Sequence, residues 1–291
     1  MSTELLSTIT RPRRKTPYEQ DVAAMAIAST DSDIFSMTGR VALVTGSTRG
    51  MGFAAAHELA RHGADVVIVG RDTESTGAAA AQVNEAVGAD RAHPIVANIG
   101  HRDSVTDLMA RTRAEVGQID ALLLHAGMNI WVGETTDLED RTLTKFIDSS
   151  IMSAHWFCRE VLPHMVDQGW GRIIFTSSVI GSTLGSSDNG PYGITKAALA
   201  QMARNLACEY GKHGIRANAI APALFETRQA EAVLSDEGRL RRYLDRCPAG
   251  RVGEAREFAG LALLLASEAG GYINGQTVNV DGGYSVLWDS Y

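Results

Sequence analysis

Tyr192 and Lys196 stand four residues apart, directly after Pro191 and ahead of an alanine-rich stretch (Ala197, Ala198, Leu199, Ala200). Residues at that spacing share one face of a helix. A free phenol has a pKa of roughly 10 and exchanges protons poorly at neutral pH. An ammonium beside it favours the phenolate and draws that pKa toward the working range. The pair is suited to moving a proton on and off an oxygen. The rival reading is two side chains on a solvated helix face, and the motifs elsewhere in the chain decide between them.

A second chemical signature is the run Thr45-Gly46-Ser47-Thr48-Arg49-Gly50-Met51-Gly52, which lies between an apolar segment and a helical one. Its glycines permit a tight turn and close backbone approach. The helix that follows offers free N–H groups and a positive dipole end to a phosphate. In a strand–turn–helix setting this is a dinucleotide site, and Ser47, Thr48, Arg49 and Met51 join the three glycines as contact candidates. The end of the second apolar segment bears on which dinucleotide. A site for NAD commonly puts an acid there to accept from the ribose hydroxyls, whereas this chain has Val69-Gly70-Arg71-Asp72. Gly70 takes the expected place of the acid. Arg71 and Arg49 suit a 2′-phosphate, which a guanidinium grips with forked hydrogen bonds. NADP(H) is therefore favoured over NAD(H), with Asp72 as the counterweight, since it could neutralise Arg71. Asn98, followed by Ile99, is placed to bond an adenine edge. His125, Ala126 and Gly127 end the fourth apolar segment beside the expected adenosine ribose.

These groups need a scaffold that brings them to one place. Short, near-continuous apolar runs occupy 41–44, 66–69, 94–97, 121–124, 172–175, 217–220 and 277–280. Strands buried on both faces have that pattern, which implies a parallel sheet. Between them, 51–62, 75–87, 104–116, 141–166, 191–214 and 254–267 are long enough for crossover helices. The expectation is one doubly wound α/β domain of about seven strands with helices on both faces, spanning 38–291. The charged segment at about 224–250 is the natural lid. Residues 1–37, with Pro12, Pro17 and the basic cluster Arg11, Arg13, Arg14 and Lys15, look like a separate arm, mobile or partner-contacting.

Composition narrows the classes. A chain of 291 residues at 45% hydrophobic and 21% charged supports a full core. A formal net charge of −7 argues against nucleic acid as a principal partner. Cys158, Cys208 and Cys247 are far apart and form neither a metal-spaced cluster nor a disulfide framework, which suits a reducing cytoplasm. No acidic–histidine cluster has metal spacing, so no catalytic metal is expected. No apolar run reaches the roughly 18–20 residues needed to cross a bilayer, and the arm lacks a secretory pattern.

Together the glycine loop (45–52), Tyr-x-x-x-Lys (192–196), the strand end Phe175-Thr176-Ser177-Ser178, the run Asn218-Ala219-Ile220-Ala221-Pro222 and the run 275–283 resemble the short-chain dehydrogenase/reductase family. The resemblance covers about 36–284, and the opening 35–40 is similar to gluconate-type members. It implies an oxidoreductase that interconverts a secondary alcohol and a ketone on a small molecule. Tyr192 would be the general acid/base, Lys196 its pKa-lowering partner and a ligand of the nicotinamide ribose, and Ser178 the hydroxyl that holds the substrate oxygen. Thr227, with Pro222 and Ala223 before it, would contact the nicotinamide or phosphates. A homo-oligomer, tetramer or dimer, is also implied, because the long fifth and sixth crossovers are similar to those that form family tetramers.

The chain departs from the family pattern at several points. The fourth strand ends Leu124-His125-Ala126-Gly127 where the family has Asn-Asn-Ala-Gly. Counting back thirteen from Pro163 places Ser150 where a proton-relay asparagine is expected, and a serine has shorter reach. Pro222-Ala223 replaces Pro-Gly. Ser178 and Tyr192 are fourteen apart, one more than expected, so an insertion falls within 182–190 and Ser177 stays the alternative for the serine role. These departures keep two rivals open: an NAD-linked sugar or polyol dehydrogenase of the same fold, and a catalytically weak dinucleotide-binding scaffold. Trp131, Leu184, Leu224 and Phe225 are candidates for an apolar substrate wall, although core packing suits the same residue types. His125 fits a packing or ribose-contact role better than that of a base. Arg239, Arg241, Arg242 and Arg246 could steer an anion, but Glu237 and Asp245 among them suit a solvated face.

Overall fold

Alternation within the apolar runs explains how the sheet is covered. In a strand, successive side chains point to opposite faces. Leu43, Val67, Leu122 and Ile173 enter one buried layer, while Val44, Ile68, Leu123 and Ile174 enter the other. Both layers are apolar, so most strand positions are apolar on both faces. A buried side chain of this size contributes about 1.5–3 kcal/mol, and the two layers fix the register of the sheet.

The computed structural model describes residues 33–286. Residues 1–32 lie outside the described residues, and so does nearly all of the expected arm. The seven strands of this region are β1 (Val41–Thr45), β2 (Asp65–Gly70), β3 (Ala92–Val96), β4 (Ala121–Leu124), β5 (Gly171–Thr176), β6 (Ile215–Pro222) and β7 (Thr277–Val280). They form one sheet in the order β3-β2-β1-β4-β5-β6-β7, every neighbouring pair parallel. Helices α1 (Gly50–Arg61), α2 (Thr73–Val87) and α8 (Ala255–Ala266) cover one face. Helices α3 (Arg102–Glu115), α5 (Ser153–Gln168) and α6 (Gly190–Tyr210) cover the other. The compact unit starts at Ile34. Met37 is already buried in its core, and its N–H donates to the His62 carbonyl at 2.8 Å.

Two expected segments differ in detail. The stretch 141–166 is not one helix: α4 (Asp140–Ile147) passes through a π-helical turn, Asp148–Met152, before α5 begins. The expected lid carries a short turn of helix, Glu231–Leu234, and then α7 (Glu237–Arg246).

Strand order reverses between β1 and β4, and in open α/β sheets ligands bind in the crevice at the carboxyl ends there. The opposite edge is closed by polar side chains. Asp120 accepts from the Val41 N–H at 2.8 Å, from Gln168 at 2.9 Å and from Arg40 at 3.4 Å. The Arg40 and Arg172 guanidiniums flank the Trp170 ring at 3.8 and 4.2 Å, and the Trp170 indole donates to Glu268 at 2.6 Å. Burial pushes the Arg172 pKa down to about 10, which leaves it charged at neutral pH.

Candidate active site

The carboxyl edge of the sheet is where the predicted residues meet. Thr45, at the end of β1, accepts from the His125 and Ala126 N–H groups at 3.0 Å each and so ties β1 to β4 at the crevice. The chain then turns through the glycine loop. A Cβ on Gly52 would lie 2.4 Å from the Gly46 carbonyl oxygen and 2.8 Å from the His125 ring, so only glycine lets α1 start this close to the strand ends. Arg49, at the N-cap of α1, makes no side-chain cap, and the first turn holds no acid. The helix start is open to an anion. Thr227 comes across from the far side of the crevice, since a Cβ on Gly50 would lie 3.4 Å from its methyl. Ser47 is different. Its hydroxyl is buried, donates to the Val44 carbonyl at 2.7 Å and accepts from the Val69 N–H at 2.9 Å, so its side chain ties β1 to β2.

At the end of β2, the side chains of Arg49 and Arg71 are exposed and form no hydrogen bond or ion pair among the described residues. Asp72 does not neutralise them by contact. Its carboxylate caps α2, accepting from the Ser75 N–H at 2.8 Å and the Ser75 hydroxyl at 2.6 Å. Those two bonds, ahead of the nearby guanidiniums, hold its pKa below the usual carboxylate range. Asn98 is exposed, and its side chain accepts from the Gly100 N–H at 3.2 Å. Ile99 and Met51 pack against the two core layers.

The proton-handling cluster is built from β5 and α6. After Thr176 the chain forms a turn capped by Ser178, whose hydroxyl accepts from the Ile180 N–H at 3.2 Å. That turn presses against α6, because a Cβ on Gly181 would lie 2.2 Å from the Gly193 carbonyl oxygen. The close approach brings the Ser178 hydroxyl near enough to the Tyr192 phenol to act on its pKa. Ser177 points away. It is fully buried and donates to the Lys196 carbonyl at 2.8 Å, so of the two serines Ser178 is the one beside the phenol. Lys196 is 3% exposed. Its Nζ donates to the Thr176 carbonyl at 2.7 Å and lies 5.4 Å from the Tyr192 ring centroid. A Cβ on Gly127 would stand 3.1 Å from that Nζ, so the end of β4 meets the ammonium directly.

Burial sets the protonation of this cluster. It raises the Tyr192 pKa, and the Ser178 hydroxyl pulls the other way. Burial also lowers Lys196 to about 8. The resting pair is thus a neutral phenol beside a weakened ammonium. His125 is pressed down to about 3 by burial first and the Lys196 ammonium second, so its imidazole is neutral at working pH. Its Nδ1 pairs with the Thr176 hydroxyl at 3.2 Å and its ring meets Phe258 edge-on at 5.3 Å, a tie between β4 and β5.

The remaining predicted residues are spread around this centre. Ser150 is buried in the π-helical turn, and its hydroxyl has no hydrogen-bond partner among the described residues. Trp131 lies in the loop after β4. That loop pairs with the segment before α6 through Gly133 N–H to Asp188 carbonyl at 2.9 Å and Asn129 to Asn189 at 2.8 Å. The Trp131 indole N–H is buried without a partner among the described residues. Leu184 is half-buried where the insertion turns back on Val179 and Gly181. Pro222 is buried at the end of β6, and Ala223 donates to the Val280 carbonyl at 3.2 Å. Phe225 is 3% exposed, belongs to the core layer under α8 and fills the space over Gly253, and together with Leu224 and Tyr243 of α7 it also lines a small cavity. Sequence reasoning missed Thr45, Thr176 and Thr76. The signal was available for the first two, as each is the last residue of an apolar strand that runs into a motif. Among the described residues no cluster of histidine, cysteine and acidic side chains could hold a metal.

The chain belongs to the short-chain dehydrogenase/reductase family and is an NAD(P)-dependent oxidoreductase. Residues 46–285 match the family described as enoyl-(acyl carrier protein) reductase. Gluconate 5-dehydrogenase of Gluconobacter oxydans is 36% identical over 257 residues, which is 87% of this chain and 98% of that protein. A tropinone reductase homologue of Arabidopsis thaliana is 35% identical, over 92% and 98% of the two chains. The crystal structure of a gluconate 5-dehydrogenase from Burkholderia cenocepacia in complex with NADP and tartrate superposes with a TM-score of 0.83 at 32% identity, covering 88% of this chain and 99% of that one. Among the described residues, no helix is long and apolar enough to cross a membrane.

Proposed function

We propose that this enzyme prefers NADP(H) and interconverts a secondary alcohol and a ketone on a small polar molecule, with Tyr192 as the general acid/base. The observation that carries this reading is the meeting of Ser178, Tyr192 and Lys196 at the end of β5, beside an uncapped helix start and two guanidiniums unpaired among the described residues. The residues fit the dinucleotide: Gly46 and Gly52 let the loop and the start of α1 pack closely on the strand ends, where a Cβ would press on Ala126, His125 or the Gly46 carbonyl, and α1 presents free N–H groups to a phosphate. Arg49 and Arg71 are the groups that would hold a 2′-phosphate. When bound, the nicotinamide supplies or accepts the hydride.

The protein's own part follows from the protonation states. Tyr192 rests neutral, so it carries the proton that a carbonyl oxygen needs as charge develops there. Ser178, close to the phenol, donates to the same oxygen. As Tyr192 loses its proton, the Lys196 ammonium stabilises the phenolate. In the oxidative direction Tyr192 takes the proton back. Ser150, with its unengaged hydroxyl in a turn packed against α6, is the group for passing protons onward. The unpaired Trp131 indole is a donor for a hydroxyl or carboxylate of the substrate. The names of the similar proteins, gluconate 5-dehydrogenase and 2-dehydro-3-deoxy-D-gluconate 5-dehydrogenase, support a polyhydroxylated acid as substrate.

Following NADPH oxidation with a panel of keto-aldonates, cyclic ketones and 3-oxo esters tests this. The expected result is turnover of at least one class, with a higher kcat/KM for NADPH than for NADH. Tight binding of NADPH with no turnover of any ketone would leave the scaffold reading in its place.

A further inference from the structure

We infer that Thr76 and Thr48 bar any side chain from the end of β2, so that the choice of dinucleotide is made by exclusion as well as by attraction. This rests on the preference for NADP(H) proposed above. Gly70 does not have a left-handed backbone, so its glycine is not there for conformational freedom. The space beside it is filled instead. A Cβ on Gly70 would lie 2.2 Å from the Thr76 hydroxyl and 2.5 Å from the Thr48 methyl. Neither distance is tolerable for a real Cβ. The Thr76 side chain cannot simply rotate away, because it is fully buried in the first turn of α2 and its hydroxyl donates to the Asp72 carbonyl at 2.6 Å.

The consequence for binding is chemical. An NAD site uses a carboxylate at this strand end to accept from the ribose 2′-hydroxyl. A carboxylate there would also repel a 2′-phosphate. In this chain no carboxylate can grow from position 70, and the nearest one, Asp72, is held by Ser75 as the cap of α2. The strand end therefore offers nothing that pairs with a bare ribose and nothing that opposes a phosphorylated one. Thr76 and Thr48 are specificity-determining residues by the volume they occupy.

Stability and binding test the two halves of this inference separately. Gly70→Ala should lower the melting temperature by about 5 °C or more, since the buried Thr76 and the Thr48 methyl would have to give way. Thr48→Ser with Thr76→Ala should restore most of that loss when added to Gly70→Ala, because the three sites share one space. Dissociation constants for NADH and NADPH, measured by fluorescence quenching without substrate, then read the cofactor effect. Gly70→Asp alone should gain no NADH affinity. Gly70→Asp in the Thr48→Ser/Thr76→Ala background should bind NADH at least about tenfold more tightly than the wild type and lose NADPH affinity. Full stability of Gly70→Ala would overturn the inference. So would equal gains of NADH affinity with and without the two threonine changes, or no gain in a stable triple variant. Wild-type protein that binds NADH as tightly as NADPH would overturn the underlying preference instead, whatever the stability cycle gives.

Discussion

The two edges of the sheet treat their polar groups in opposite ways. At the amino edge, Asp120, Arg40, Arg172, Trp170 and Glu268 satisfy one another, and every charged member has a partner. At the carboxyl edge, Arg49, Arg71, the Ser150 hydroxyl and the Trp131 indole form no such bonds among the described residues. Of these, the Trp131 indole N–H is buried, and a buried donor without a partner among the described residues needs a reason. One edge is closed by mutual contacts and holds the strands. The other is left incomplete, and a dinucleotide and substrate are what would complete it.

That contrast can be broken by mutation. The largest effect on folding belongs to the amino edge. Asp120→Ala strands the Val41 N–H and frees Arg40 and Gln168, and should cost about 3 kcal/mol by urea unfolding. The affinity of the folded fraction for NADPH should be unchanged; a loss of binding without a loss of stability would reverse the roles of the two edges. Arg71→Ala at the carboxyl edge should do the opposite. A charge-assisted contact is worth about 1.5–3 kcal/mol, so NADPH should bind roughly tenfold more weakly or worse, with NADH and the melting temperature nearly unmoved. Equal losses for the two dinucleotides would remove Arg71 from 2′-phosphate recognition.

The smallest effect sharpens the boundary between the edges. His125 sits at the site but is tied into the fold, with its pKa depressed to about 3. Its folded pKa lies below the unfolded value of about 6.5, so below that pH the unfolded chain takes up a proton that the folded chain refuses. Stability is therefore present above about pH 6.5 and is lost as pH falls toward 3, by up to about 1.4 kcal/mol per pH unit. His125→Asn should flatten that slope between pH 6.5 and 5, before most carboxylates titrate. An unchanged slope would mean that the imidazole is not enclosed.

Much of this was legible in the residues. The seven apolar runs match the seven strands because both faces of a parallel sheet are covered, and the glycine loop and Tyr192–Lys196 spacing report local geometry. The rest depended on contacts between distant segments. A π-helical turn at 148–152 adds one residue to a helical repeat, which apolar periodicity does not register. Whether Ser177 or Ser178 faces the phenol depended on how the turn after β5 packs on α6. Arg172 lies in a run that looks apolar, and its burial against Trp170 was invisible without the fold. Phe225 fits a pocket wall or the core equally well by residue type, and the fold puts it in both places, over Gly253 in the core and at the edge of a small cavity beside Tyr243. The rise in the Tyr192 pKa depended on burial by segments distant in the sequence.

The most direct test of the account compares Tyr192→Phe with the wild type in single-turnover NADPH oxidation, using whichever ketone the wild type reduces. The account predicts unchanged NADPH affinity and melting temperature with a rate lower by about 100- to 10,000-fold, the range for loss of a general acid. A variant that turns over within a few-fold of the wild type would contradict it.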